Sequence, residues 1–296
     1  MGVNTKTIKR RIKSIGNTKK ITKAMEMISG VKMRKAVANV LATRSYADTA
    51  WKMLQDIAKI TDVSLHPLLQ KRPVKKVGVI MITSNRGLAG GFSSKLLLEV
   101  DRFIKQEKAA HQAEVEVILM GKRGRKIYKN FGHTVIAEFE KVDLTTKIEE
   151  VLPMTRSAVG DYVNGKYDKL CVAYTDYISA IKQAPRLKQL LPFVGESKDL
   201  KSVVGENFAP ELEFHFEPSP VEVLDFLIPR LAEMQVYQAI LESDASEHSA
   251  RMMSMRNASD AAADIIKELN YTFNKARQSA ITQEIAEIVG GAAALG

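Results

Sequence analysis

The run ASDAAADIIKELNYTFNKARQSA, residues 258–280, decides the fold. Ala258, Ala262, Ile265, Leu269, Phe273, Ala276 and Ala280 recur at intervals of three and four. Residues so spaced share one side of an α-helix, so the run predicts a helix with one narrow apolar seam. The helical pattern extends outward from about Val221 to Val289. Pro229 marks an early kink or a late start, and Gly290-Gly291 marks the end. The last turns, with Ile281, Ile285, Ile288 and Val289, are apolar beyond the seam.

The opposite end of the chain has the same period. From about Thr5 to Ile60, Ile8, Ile12 and Ile15 open a seam that Met33, Ala36, Val40, Ala47, Ala50, Leu54 and Ile57 continue. Between them the seam positions hold Lys19, Thr22, Glu26 and Ser29, while the apolar residues move to Ile21, Met25 and Ile28. The seam therefore breaks there, or the stripe turns to another partner. Gly16-Asn17, just before the change, weakens the helix locally. At 1.5 Å per residue the two helices would reach roughly 80 and 100 Å, beyond any compact core. They must pack on each other, and with a domain between them they most simply return antiparallel.

The middle alternates strands and helices. Strand-like runs fall at Val77–Thr83, Val115–Met120, Val135–Phe139 and Leu170–Tyr174, with an edge strand at Leu212–Phe216. Helical segments fill about Ser93–Ala110, Lys122–Phe131 and Leu144–Val163, with Ser93 and Asp143 as N-caps, and residues 194–210 read as a loop. The fold class is α/β: a long antiparallel coiled coil of N- and C-terminal helices plus a central Rossmann-like α/β domain with a mostly parallel sheet. The expected division is an N-terminal helix over 1–66, the α/β domain over 74–216 and a C-terminal helix over 217–296.

Charge is concentrated. Residues 1–35 hold eleven Lys and Arg, including Lys6, Lys9, Arg10, Lys13, Lys20 and Lys23, against Glu26 alone. That surplus of ten equals the formal net charge of the 296-residue chain, +10. A basic block of this kind seeks an acidic partner: phosphates, anionic lipid or carboxylates of another protein. No run is long and apolar enough to span a bilayer, and the start of the sequence lacks a secretory core. Lys6 stands where a myristoylation motif wants Ser or Thr. Cys171, the single cysteine, sits in an apolar strand-like run and reads as an inert core thiol.

Catalytic signatures are missing. Ser84–Phe92 is glycine-rich after a strand, but its G-x-x-G-G spacing is not that of a dinucleotide-binding turn, and no P-loop occurs. Lys122, Arg123 and Arg125 offer one basic turn. No G-x-S-x-G occurs, and the five His have no metal-ligand spacing. The sequence predicts no cofactor, no metal and no small-molecule substrate. A basic coiled-coil protein that binds nucleic acid is the alternative, although no aromatic residue that could stack on a base lies in residues 1–45. A nucleotide-dependent α/β enzyme stands third.

Four motifs in order carry a resemblance over the whole chain. Ile21-Thr22-Lys23-Ala24-Met25-Glu26-Met27-Ile28, followed by Lys32-Met33-Arg34-Lys35, resembles the N-terminal signature of the gamma subunit of F-type ATP synthase. Asn274-Lys275-Ala276-Arg277-Gln278-Ser279-Ala280-Ile281-Thr282-Gln283-Glu284-Ile285 resembles the C-terminal one. Glu247-His248-Ser249-Ala250-Arg251-Met252 and Ser84-Asn85-Arg86-Gly87-Leu88-Ala89-Gly90-Gly91-Phe92 are similar too.

The resemblance implies a rotor: one copy per complex, its coiled coil inside a hexamer of alpha and beta subunits, its α/β domain beside the epsilon subunit and on the proteolipid c-ring. Proton-driven rotation of the ring then changes the beta catalytic sites, and this subunit makes no bond itself. Under the same resemblance Met25, Arg251, Gln278, Thr282 and Glu284 match positions that touch beta. The basic face would meet acidic loops of beta, and Phe214, Phe216 and Glu217 would meet the ring. Ala89 stands where many relatives have Cys and Asn85 where many have Asp, and a lone cysteine argues against thiol regulation. Without a transit peptide, the expected place is the cytoplasmic face of a bacterial inner membrane, held peripherally.

Overall fold

The computed structural model describes residues 5–60, 68–70, 72–128, 135–145, 147–193, 217 and 220–295. They form two compact units: residues 31–250, and residues 1–30 together with 251–296. Helices α1 (Thr5–Ile60) and α5 (Pro220–Leu295) each contribute to both.

The larger unit is built on a five-stranded sheet of order β3-β2-β1-β4-β5. Its strands are β1 (Lys76–Ile82), β2 (Glu114–Met120), β3 (Val135–Phe139), β4 (Lys169–Tyr177) and β5 (Gln183–Leu191). The first four pair in parallel, and β5 runs antiparallel to β4 along one edge. Four of the strands match the apolar runs read from the sequence: β1, β2 and β4 are buried almost throughout, as a covered parallel sheet requires, whereas β3 alternates half-buried and exposed residues. On one face Val79, Met81, Val117, Leu119, Cys171 and Ala173 pack against Leu96, Leu97, Val100 and Ile104 of α2 (Phe92–His111). On the other, Ile80, Ile82, Ile118 and Val172 join Met154, Ala158 and Tyr162 of α4 (Leu152–Val163), with Ala36 and Val40 of α1 and Ile228–Ala245 positions of α5.

Strand β5 is absent from the sequence reading. Its sequence QAPRLKQLL carries Pro185, Arg186 and Lys188 and buries only its last two residues. Among the described residues it pairs with β4 and no other strand, and proline and exposed cations are tolerated in the end strand of a sheet. The edge strand expected at Leu212–Phe216 and the loop over 194–210 lie outside the described residues.

Helix boundaries differ in four places. Helix α2 begins at Phe92 after Gly91 with no side-chain cap; Ser93 lies inside it, its Oγ 2.9 Å from Ser84 Oγ. The helix expected from Leu144 is a single 3-10 turn, Ile148–Glu150, followed by α4 with Pro153 in its first turn, where a missing N–H costs nothing. Asp143 caps no helix and pairs with Lys32 instead. Gly290-Gly291 does not end α5, which runs on to Leu295 through three alanines, and Pro229 lies within it. Helix α3 covers Lys122–Tyr128, and the remainder of that expected helix is outside the described residues.

In the smaller unit, Ile8, Thr22 and Ser29 of α1 are buried, as are Arg251, Met255, Ser259 and Ala262 of α5. Ile21 and Ile28 remain 61% and 56% exposed. The seam thus continues through Thr22 and Ser29, while Ile21 and Ile28 face outward. Among the described residues, no helix is long and apolar enough to cross a membrane.

Candidate functional site

Within the larger unit, the crest of the sheet is a fixed loop. Thr83 is fully buried where β1 ends; its hydroxyl meets the carbonyl oxygens of Met120 and Gly121 at 3.0 and 2.9 Å and lies 3.1 Å from the Gly124 amide. Gly121 has φ +102°, and a Cβ there would sit 2.4 Å from the Thr83 carbonyl oxygen, so only glycine fits. Asn85 accepts from the Lys122 amide at 3.2 Å and donates to the Lys141 carbonyl. Gly121 therefore serves close packing of the β1 and β2 ends. The adjacent cations are partnered: Lys122 with Glu140 at 2.7 Å and Arg125 with Glu138 at 3.2 Å.

From β3 the chain passes into a strap, residues 141–145, that binds three elements. Lys141 is 3% exposed. Its Nζ lies 2.6 Å from Asp244 Oδ1 and 2.6 Å from Glu247 Oε2, both on α5. The Thr145 amide donates to Asp244 Oδ2 at 2.8 Å, and His248 Nε2 lies 3.0 Å from the Asp143 carbonyl oxygen. On α1, Lys32 pairs with the Asp143 carboxylate and Asn39 donates to the Thr145 carbonyl at 3.4 Å. Burial alone would lower the Lys141 pKa, but Asp244 and Glu247 outweigh it and hold the ammonium charged above the usual lysine range. With one cation between two carboxyls, burial pushes Asp244 up.

The strap explains an odd stretch of helix. From Glu242 to Ser249, α5 is buried throughout, yet Ala245 is its only apolar residue. Buried polar groups need partners, and the strap and the sheet supply them. Ser249 Oγ donates to the Ala180 carbonyl in the β4–β5 hairpin, and Gln183 Nε2 lies 3.3 Å from the same hydroxyl. Glu242 hydrogen-bonds Gln238 at 3.1 Å and meets the carboxyl of Asp176, which is paired with Arg186 at 2.8 Å. Burial, with Asp176 adding to it, pushes Glu242 up to about 7.

The sequence motif Glu247–Met252 marked half of this cluster. Lys141, Asp143, Thr145 and Asp244 were missed, because Glu140-Lys141-Val142-Asp143 reads locally as surface charge. A run of buried-length helix without an apolar face was the available signal.

In the smaller unit the residues singled out from the sequence lie along the helices. Lys6, Lys9, Arg10, Lys13, Lys20 and Lys23 are all exposed, and Lys23 pairs with Glu26 at 2.9 Å. Met25 is half-buried beside exposed Ile21, Met27 and Ile28. Arg251 is buried, whereas Gln278, Thr282 and Glu284 are exposed. The Thr282 hydroxyl turns back to the Gln278 carbonyl at 3.0 Å. Ile281, Ile285, Ile288 and Val289 are exposed by 47%, 57%, 72% and 62%. Glu217 is exposed, and Phe214 and Phe216 lie outside the described residues. Among the described residues no group of His, Cys, Asp and Glu is disposed to hold a metal ion.

A family model described as ATP synthase matches residues 4–295. The chain is 41% identical over 295 residues to the ATP synthase gamma chain of Chloroflexus aurantiacus, covering 99% of each. It is 38% identical over 290 residues to the ATP synthase gamma chain of Legionella pneumophila, covering 98% of this chain and 99% of that one. Among solved structures, a chain of the Euglena gracilis mitochondrial ATP synthase (OSCP/F1/c-ring, rotational state 3) shares the fold. Its TM-score is 0.67 at 18% identity, over 98% of this chain and 94% of that chain. The long terminal helices, the mostly parallel sheet and this full-length likeness place the chain in one family: it belongs to the gamma chains of ATP synthase.

Proposed function

We propose that the chain is the central rotor shaft of an F-type ATP synthase and couples proton-driven rotation of the proteolipid ring to conformational change in the beta catalytic sites. The single observation that carries this is likeness to gamma chains along 99% of the sequence. The exposed isoleucines at the end of α5 support it, because a contiguous apolar surface of this kind marks a partner contact. The nucleic-acid reading of the basic end has no counterpart among the relatives described above.

In this reading the subunit has no catalytic residue of its own. One copy stands in a hexamer of alpha and beta subunits, with the epsilon subunit and the c-ring as further partners, peripherally on the cytoplasmic face of the inner membrane. Segments 1–66 and 217–296 act as the shaft and 74–216 as the foot. Met25, Arg251, Gln278, Thr282 and Glu284 contact beta. The basic face of Lys6, Lys9, Arg10, Lys13, Lys20 and Lys23 meets acidic loops of beta through long-range attraction that tolerates rotation. Phe214, Phe216 and Glu217 belong to the contact with the ring.

Reconstitution tests this. Mixed with cognate alpha and beta subunits, the chain is expected to give a stable complex with one copy per hexamer and ATP hydrolysis that depends on it. No association, with normal hydrolysis in its absence, overturns the reading.

A further inference from the structure

We propose that the strap over residues 141–145, centred on Lys141, is the element through which torque passes between the sheet and the two helices of the larger unit. This inference rests on the rotor reading and names the place where load is carried.

The observation is the convergence of directional bonds on five consecutive residues. Apolar contacts between the sheet and α1 and α5 are extensive, but they are non-directional and resist sliding or twisting weakly. Ion pairs and hydrogen bonds with fixed donors and acceptors hold one register, and buried ones hold it most firmly. The strap has such bonds on every side. Its Lys141 carbonyl is tied to Asn85 at the crest of the sheet. Its Lys141 ammonium and Thr145 amide hold Asp244 and Glu247, one turn apart on α5. Its Asp143 carboxylate and Thr145 carbonyl hold Lys32 and Asn39 on α1. Both helices are therefore referenced to the sheet through the same short segment. A buried ion pair is weak evidence for stability, since apolar or neutral replacements often serve as well, but fixing register is its best-attested use.

The test uses the complete complex in proton-tight vesicles, with protons pumped per ATP hydrolysed measured as an opposing proton gradient is raised. Two variants remove the bonds differently. Lys141→Met/Asp244→Asn/Glu247→Gln neutralises the buried cluster at nearly constant volume and leaves no unpaired charge. Lys32→Met removes one anchor on α1, where both charged side chains are about a third exposed, so it is tolerated by folding. Lys122→Met, which breaks the exposed pair with Glu140, is the control.

For the triple variant, pumping per ATP is expected to match wild type without a gradient and to fall about threefold or more at the highest gradient. Lys32→Met is expected to fall in the same direction by a smaller factor, and the control not at all. A purely structural role predicts loss of pumping and hydrolysis together, with their ratio unchanged at every gradient; that result overturns the proposal. If the triple variant does not assemble, Lys32→Met decides: a ratio falling with load supports the strap, and a wild-type ratio overturns it. Failure of the wild-type complex to couple hydrolysis to pumping would instead count against the rotor reading.

Discussion

Thr22 and Ser259 place their hydroxyl oxygens 2.7 Å apart, both buried, one on α1 and one on α5. Thr22 Oγ1 also lies 3.1 Å from the Lys19 carbonyl oxygen, and either hydroxyl can donate across the pair. A polar pair at a seam otherwise suited to apolar side chains fixes register at some cost in stability. Thr22→Val leaves the Ser259 hydroxyl unpaired and is expected to destabilise the full chain by about 1–3 kcal/mol. Thr22→Val/Ser259→Ala is expected to recover most of that loss, because no orphaned group remains. Urea unfolding of the two variants checks the coupling, and equal losses would remove the pair's significance.

Lys141→Met strands two buried carboxylates. The expected loss is about 3–5 kcal/mol, far more than for a surface ion pair. Adding Asp244→Asn and Glu247→Gln is expected to return much of it. Thermal unfolding of the three proteins side by side gives the order directly.

Glu242 makes stability depend on pH. Its folded pKa is raised from 4.5 to about 7 by burial and by Asp176, while Gln238 and Arg44 act against that rise and Arg186 balances Asp176. The folded state binds its proton more tightly than the unfolded chain, so this contribution is full below the unfolded value. It is lost as pH rises through the folded value, at no more than about 1.4 kcal/mol per pH unit. Glu242→Gln is expected to flatten the stability profile between those two values. An unchanged profile would place the proton elsewhere.

Cys171 is 1% exposed, and burial raises its thiol pKa to about 12. The thiolate is the reactive form, so the folded chain is expected to resist alkylation at neutral pH and to be labelled fully in denaturant. Labelling in native buffer at the denatured rate would contradict its place between the sheet and α2.

Met25 is half-buried next to the exposed Ile21, Met27 and Ile28. Met25→Lys adds a cation where the proposed beta contact lies and is expected to reduce proton pumping per ATP more than it reduces assembly. Assembled variant complex with wild-type coupling would count against that assignment.

Much of the fold was legible because its signals are local and repeated. The 3/4 spacing in 258–280 and the apolar runs of β1, β2, β3 and β4 are each readable without knowledge of partners. Strand β5 escaped because Pro185, Arg186 and Lys188 break any apolar run and only its last two residues are buried. Leu144 failed as a helix start because Asp143 and Thr145 are committed to distant partners, Lys32 and Asp244. The family motifs reached Glu247 and His248, but a lysine more than a hundred positions earlier has no local mark of being buried against them. Even Gly290-Gly291, a strong stop by local rules, is overridden by the alanines that follow.

Among the described residues β5 is the last strand on its side of the sheet, and this has a consequence for the chain before it meets other subunits. An unpaired strand edge invites a second copy to add to it. Pro185 withholds a backbone donor, and the charge of Arg186 is spent on Asp176 at 2.8 Å. A second copy adding its strand at that position would therefore meet a break in the ladder of backbone donors. The proline that hid this strand from sequence reading is the residue that interrupts such pairing.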